Sequence, residues 1–334
     1  MKSLTLLALT ALTALSSALA APTLVVYSAQ GYDQDVVDAF QKATGIETKL
    51  VDLSTGPLVA KVEAEKQNPQ WGLVWFDGAE AMRSLADQGL LLKGWTPQVN
   101  WNAMGKALLP TDKSYIPVSA TFAGVLVVNT KVVPADKAPR SWRDLLKPEY
   151  KGLVGMNNPS ISGPTYPLVA GVLQAQGGEA GGKKYFEQLK ANGLHVFDTN
   201  GVTLKALYSG AIGIAIVQSS AGIGAVLKKE PVQLAYPEPV SLLPGSIGIN
   251  AKASPEVVAA AKKFVEFVLS PEGQKVMLSG DTGGDSNYYP LLEGLKPSAA
   301  VTPLIGIKYQ SVDPTVWGSR EGEINTWFTN TIVR

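Results

Sequence analysis

The sequence predicts a two-domain α/β protein in which each domain is a mostly parallel sheet flanked by helices and a ligand cleft lies between the two. Three observations predict it. Apolar, β-branched runs alternate with helix-spaced segments along most of the chain, the order that yields parallel sheets covered on both faces. The chain has 334 residues, long for a single core. Two segments, 119–128 and the proline-bearing 237–250, read as an outward and a return crossing between an N-terminal and a central α/β series.

The first element is an export signal over 1–20. Lys2 supplies the positive end, residues 4–15 an apolar run too short to span a bilayer, and Ala18-Leu19-Ala20 the small-residue cleavage pattern. The mature chain is expected to begin at Ala21. No cysteine follows that could take a lipid, so the product is expected to be soluble and periplasmic. A strand is predicted over 23–28, then a helix over 33–44 with Val36, Val37 and Phe40 on one face and Gly45 closing it, then a strand over 47–53. After Ser54-Thr55-Gly56-Pro57 come a helix over 58–67, a stop at Asn68-Pro69, and a buried strand over 73–76 that ends at Asp77-Gly78.

The second series continues the pattern. Strands are predicted over 152–156, 195–198, 212–217 and 233–236, and helices over 164–176, 183–191, 202–209 and 221–229, with 177–182 a flexible glycine link. The segment 255–269 carries Val257, Val258, Ala261, Phe264, Val265 and Val268 on one helical stripe. This order assigns 21–118 with 245–285 to domain 1 and 119–244 to domain 2, and leaves 286–334 to pack on domain 2.

Composition excludes several classes of function. Losing Lys2 with the leader leaves 28 basic residues against 28 acidic ones, a balance that favours neither nucleic acid nor an anionic membrane. With no cysteine, thiol chemistry and cysteine-ligated metals are out, and stability must come from burial. The single histidine, His195, lies in a strand-like run and reads as a strand side chain. A secreted hydrolase would have to use it with Gln218-Ser219-Ser220-Ala221-Gly222, which lacks the first glycine of a nucleophile elbow.

Binding chemistry is better served. Four loops, Ser54-Thr55-Gly56, Ser160-Ile161-Ser162-Gly163, Thr199-Asn200-Gly201 and Gln218-Ser219-Ser220, each join a strand to a helix through small hydroxyl or amide residues. Helix starts at the carboxyl ends of strands offer unpaired N–H groups to an anion. Any one of the loops is explained by capping alone, since Ser, Thr and Asn are the preferred N-caps. Four aimed at one cleft suit a small anion, bound without a basic cluster by hydrogen bonds of about 1.5 to 3 kcal/mol each. Asp77 is either an Asp-Gly turn residue, a partner for a ligand's cationic end, or a metal ligand. Beside a bare phosphate it would repel, so a zwitterion fits it better. Tyr32 reads either as closing over the cleft or as surface packing, and Tyr288-Tyr289 either as phenolate donors for ferric iron or, following a polar loop and preceding Pro290, as the anchor of the chain's return.

Several motifs carry a resemblance: Val26-Tyr27-Ser28, Phe40-Gln41-Lys42-Ala43-Thr44-Gly45-Ile46, Glu65-Lys66-Gln67-Asn68-Pro69-Gln70, Trp142-Arg143-Asp144-Leu145 and the Leu269-Ser270-Pro271-Glu272-Gly273-Gln274 run after Phe267. From Leu24 to about Pro290 the chain resembles extracellular solute-binding proteins of ABC importers, of the type II two-domain architecture, in the subgroup that includes ferric-binding and 2-aminoethylphosphonate-binding proteins. The resemblance implies a monomer without cofactor or catalysis that captures a solute by domain closure and delivers it to permease and ATPase subunits. Iron-binding members place two consecutive tyrosines where this chain has Ser219-Ser220, although Tyr32 and Asp77 resemble positions near the metal, so ferric iron stays the alternative ligand. The preferred ligand is a phosphonate or phosphate ester such as 2-aminoethylphosphonate. The expected binding set is Ser28, Tyr32, Ser54, Thr55, Gly56, Asp77, Ser160, Ser162, Gly163, Thr199, Asn200, Ser219 and Ser220.

Overall fold

Strands joined through a helix pair in parallel, because the helix carries the chain back across one face of the sheet before the next strand begins. The computed structural model describes residues 23–334, so the expected leader over 1–20 lies outside the described residues. Strands β1 (Leu24–Ser28), β2 (Thr48–Asp52) and β3 (Leu73–Asp77) form a parallel group with β1 in the centre. The Asp33–Thr44 helix ends where expected, at Gly45 in the left-handed conformation. The next helix, Thr55–Ala64, starts three residues before expectation, because Pro57 sits in its first turn, where no intrahelical donor is needed. A helix over Ala79–Asp87 was not anticipated from the sequence.

The β-rich stretch around 119–128 is two strands. β4 (Ile116–Phe122) belongs to the larger sheet, and after Ala123 and Gly124 the chain enters the smaller sheet as β5 (Val125–Asn129). That sheet is completed by β6 (Val154–Asn157), β7 (His195–Phe197), β8 (Ile214–Val217) and β9 (Val232–Ala235), in the order β7-β6-β8-β5-β9. The glycine link expected over 177–182 is shorter, since the helix Glu179–Ala191 takes in Gly181 and Gly182.

The return segment read over 237–250 contains a regular strand. Prolines at 237, 239 and 244 suggest an irregular crossing, yet β10 (Val240–Ile249) is a fully buried ten-residue strand lying between β4 and β3. Pro244 is tolerated there because the pairing with β4 shifts register at Gly245 and Ser246, the kind of irregularity that accommodates a residue without an N–H. Short strands β11 (Tyr289–Pro290) and β12 (Tyr309–Gln310) add to β4 and β10. Both sheets are therefore mixed rather than mostly parallel. Outgoing β4 and β5 run against returning β10 and β9, so every strand pair involving a crossing and its return is antiparallel.

The 286–334 segment divides between the two halves. Tyr288 packs its ring on Tyr32 beneath the larger sheet, while Trp317, Ile324, Phe328 and Ile332 join the core of the smaller one. No helix among the described residues is long and apolar enough to cross a membrane.

The helix Pro255–Val268 seals the larger sheet through Phe264, fully buried and edge-to-face with Phe40 at 5.1 Å and Trp75 at 5.9 Å between ring centroids. Phe264→Ala is expected to lower unfolding stability by about 3 to 5 kcal/mol. Urea denaturation followed by tryptophan fluorescence measures it, and a loss below about 1 kcal/mol would mean that neighbours collapse into the space.

Candidate functional site

Where a helix starts at a strand end, a serine or threonine N-cap normally takes up one of the free N–H groups. Asn102, Ser141, Ser254, Ser270 and Asp313 do so elsewhere in this chain. Four helix starts at the junction of the two sheets lack such a cap, as do some elsewhere, among them Asp33–Thr44 and Ala79–Asp87. Ser54 before Thr55–Ala64, Pro164 before Thr165–Ala175, Thr199 before Asn200–Tyr208 and Gln218 before Ser219–Leu227 make no side-chain cap. All four of these N-cap residues line one cavity of about 290 Å³. The sequence-based expectation that capping could account for such loops therefore does not hold for Ser54 or Thr199.

The two halves meet directly at one rim of this cavity. Gly56 N donates to Ile161 O at 3.2 Å, and no side chain fits between the loops. A Cβ on Gly56 would stand 2.2 Å from Ser160 O, and one on Gly163 would stand 2.2 Å from Thr55 Oγ1. Beside that contact, Asn157 Nδ2 donates to Ser162 Oγ at 3.1 Å and to Asn200 Oδ1 at 2.6 Å, tying two of the loops together.

The other end of the cavity is acidic. Asp77 closes β3 and is buried, with Gln30 Nε2 donating to Oδ1 at 3.1 Å and Gln218 Nε2 donating to Oδ2 at 2.8 Å. Gln218 also donates to Thr121 Oγ1 at 3.2 Å, and Gln30 Oε1 accepts from Tyr32 OH at 2.8 Å. Asp285, from the loop after the Pro271–Gly280 helix, accepts from Gly31 N at 2.8 Å and Ser220 Oγ at 3.2 Å. Burial, then the Asp285 carboxylate, push Asp77 up to about 7, with the two amide donors acting in the opposite direction. Burial raises Asp285 as well, and Asp281 adds to it. Asp52, Asp77 and Asp285 line the cavity with no lysine or arginine among the described lining residues.

Of the expected binding set, Ser54, Thr55, Asp77, Ser162, Gly163, Thr199 and Asn200 are brought together at this cavity. The others are not. Ser28 is buried with its hydroxyl unpartnered, outside the lining. Gly56 forms the contact between loops, and exposed Ser160 reaches Thr329 Oγ1 at 3.3 Å. Tyr32 does not close over the cleft. It is buried below it, packed on Trp75 at 5.4 Å, and props Gln30. Ser219 and Ser220 are buried too, the first accepting Phe122 N at 3.0 Å and the second spent on Asp285. The serine pair is therefore structural, and Gln218 just before it faces the cavity instead.

Gln30, Gln218 and Asp285 escaped the sequence reading. Gln218 stood inside a loop already singled out, but Asp285 carried no signal short of the fold. His195 is exposed, with Nε2 3.2 Å from Gly152 O, and no serine hydroxyl among the described residues pairs with it. Tyr288 OH donates to Gln274 Oε1 at 3.1 Å and Tyr289 OH to Thr302 O at 2.6 Å, both away from the cavity.

The model of the bacterial extracellular solute-binding protein family matches residues 35–306, and the chain belongs to this family. It is 25% identical over 322 residues to the major ferric iron-binding protein of Neisseria meningitidis, covering 93% of each chain. It is also 25% identical over 284 residues to a putative 2-aminoethylphosphonate-binding periplasmic protein of Salmonella paratyphi A, covering 80% of each. Among solved structures, the periplasmic binding protein P5PA superposes with a TM-score of 0.82 at 25% identity, covering 93% of this chain and 99% of that one. These relatives are binding proteins, not enzymes.

Two outcomes follow from the geometry. Gly56→Ala should hold the halves apart without unfolding either, giving a larger radius of gyration by X-ray scattering and an unaltered far-ultraviolet circular dichroism spectrum. An unchanged radius would show that the Gly56 contact is not needed for closure. The second outcome concerns pH. Because Asp77 holds its proton up to about 7 in the folded protein, and an unfolded aspartate loses it near pH ~4, folded-state stability falls as pH rises between those values. Burial gives Asp33, raised to about 6, and Glu80, raised to about 7, the same sign. Asp77→Asn should flatten only its own share of the fall, and urea midpoints at about pH 4.5, 6 and 7.5 measure the difference.

Proposed function

We propose that this protein is the periplasmic solute-binding component of an ABC importer, and that it captures a small phosphonate or phosphate ester, with 2-aminoethylphosphonate the preferred ligand. The observation that carries the reading is the set of four helix starts without side-chain caps around one cavity with no cationic residue among its described lining. At two of these starts Gly56 N and Thr165 N are already bonded to Ile161 O and Ser162 O, so the N–H groups that suit the oxygens of a phosphoryl group come chiefly from the Asn200–Tyr208 and Ser219–Leu227 starts, with the positive ends of their helices. The hydroxyls of Ser54, Thr55, Ser162 and Thr199 add donors at the same end. Family membership and the named Salmonella relative support the choice of solute.

The work is capture by closure of the two halves, followed by delivery of the closed form to permease and ATPase subunits. Export by the leader read over 1–20 would put the protein where such a partner is reached. No covalent step is required of any residue.

Ferric iron is favoured by the Neisseria relative, which is as similar and covers more of the chain. The side chains expected for it are ill placed. Tyr32 OH is buried and directed to Gln30, and no group of three His, Cys, Asp or Glu able to hold a metal ion occurs among the described residues. Isothermal calorimetry with 2-aminoethylphosphonate should give a dissociation constant of about 1 μM or below, near 8 kcal/mol. Scattering should then report a smaller radius of gyration. No binding of phosphonates or phosphate esters, together with a red colour on adding ferric citrate, would overturn the reading in favour of iron.

A further inference from the structure

The acidic end of the cavity is explained neither by folding nor by a phosphoryl group. Asp77 and Asp285 both line it, and among the described residues no ion pair includes either one. Their hydrogen-bond donors are all neutral: two glutamine amides on Asp77, and a backbone N–H with a serine hydroxyl on Asp285. Two neighbouring carboxylates without a countercharge, Asp77 buried and Asp285 half-buried, are costly, and the cost is relieved by retaining a proton or by accepting a cation.

Asp285 is held where it is by its own loop. Asp285 N donates to Asp281 Oδ2 at 2.8 Å, Asp281 N donates to Ser286 Oγ at 2.9 Å, and Asn287 Nδ2 ties the loop through Thr282 O and Gly284 O. The carboxylate is thus fixed against Gly31 on one half and Ser220 on the other. Asp77 is likewise shared, through Gln30 and Gln218. Both acids are complete only when the halves are together, which is when a solute is enclosed.

We propose that Asp285, acting with Asp77, is the specificity-determining carboxylate of this cavity, and that it selects a solute bearing a primary ammonium group a few bonds from its phosphoryl group. The inference rests on the reading of the cavity as a phosphonate or phosphate-ester site. The ammonium supplies the missing positive charge, so the pair ionises fully on binding and any proton it held passes to the buffer. The ionisable groups around the pair do not substitute for that cation. Asp281 and Asp52 are acids, the Tyr32 and Tyr288 phenols are raised by burial first, and Lys228, whose side chain passes the backbone of Gly283, pairs with neither carboxylate.

The test compares 2-aminoethylphosphonate with ethylphosphonate on the unaltered protein and on Asp285→Asn, by calorimetry in two buffers of different ionisation enthalpy. The unaltered protein should prefer the amine at least tenfold. Asp285→Asn should bring the two ligands within threefold, mainly by weakening 2-aminoethylphosphonate, and should release fewer protons with that ligand. Comparing two proteins with one ligand at one pH cancels the ligand's own titration. Equal affinity of the unaltered protein for both phosphonates overturns the ammonium role while leaving the phosphonate reading intact. Equal losses for both on Asp285→Asn overturn it in favour of a structural role. Failure of the unaltered protein to bind either removes both readings together. Should Asp285→Asn not fold, Ser220→Ala, which removes one donor from Asp285, keeps the proposal open to refutation: it must change the preference between the two phosphonates, and an unchanged preference counts against Asp285.

Discussion

The arrangement depends on a buried carboxylate that neither half of the molecule can satisfy alone. Asp77 sits at the end of β3 with Gln30 on one oxygen and Gln218 on the other, the first from the larger sheet's loop and the second from the smaller sheet's. A carboxylate taken out of water costs several kcal/mol unless hydrogen bonds replace its hydration. The halves are therefore coupled through one residue. The coupling reaches the core, because Gln30 is oriented by Tyr32, and Tyr32 is wedged against Trp75 and Tyr288. An aromatic cluster that looks like ordinary packing thus positions Gln30 in the cavity lining.

How much of this was legible in the sequence varies with the physics behind each feature. Helix and strand existence follow from hydrophobic periodicity, which is local, and the Asp33–Thr44 and Pro255–Val268 helices stand within a residue of expectation. The strand Val240–Ile249 was hidden because three nearby prolines argue against a central strand, and only the register shift beside Pro244 makes it possible. That shift is a property of the pairing, not of either strand alone. Helices such as Ala79–Asp87 passed unnoticed in a region where no start signal stood out.

The site was legible loop by loop but not residue by residue. Strand-to-helix turns mark where a cleft must be, because the sheet's carboxyl ends face it. Successive residues of a first helical turn, however, point about 100° apart, so which of them faces the cavity depends on how the helix is rotated against its sheet. In Gln218-Ser219-Ser220 the serines look the better anion donors, yet the rotation turns them toward Phe122 and Asp285 and leaves glutamine at the cavity. Asp285 lies far along the chain from Gly31, and a contact of that range carries no local pattern at all.

A binding protein must also let its solute go, and the distribution of charge suits that. Hydrogen bonds from neutral donors to a charged group, about 1.5 to 3 kcal/mol each, can be broken one at a time. A buried arginine would add one interaction that is costly to form and to lose. The two halves touch at the cavity through few direct links, chiefly Gln218 to Asp77, Ser220 to Asp285 and Gly56 to Ile161. Such links, about 1 kcal/mol net for the neutral Gly56 pair and about 1.5 to 3 kcal/mol where a carboxylate accepts, are few enough to be exchanged for contacts to a solute. A bound solute then shifts the balance only by the contacts it makes to both halves at once, which ties recognition to shape and to the placement of its charges rather than to affinity for either half.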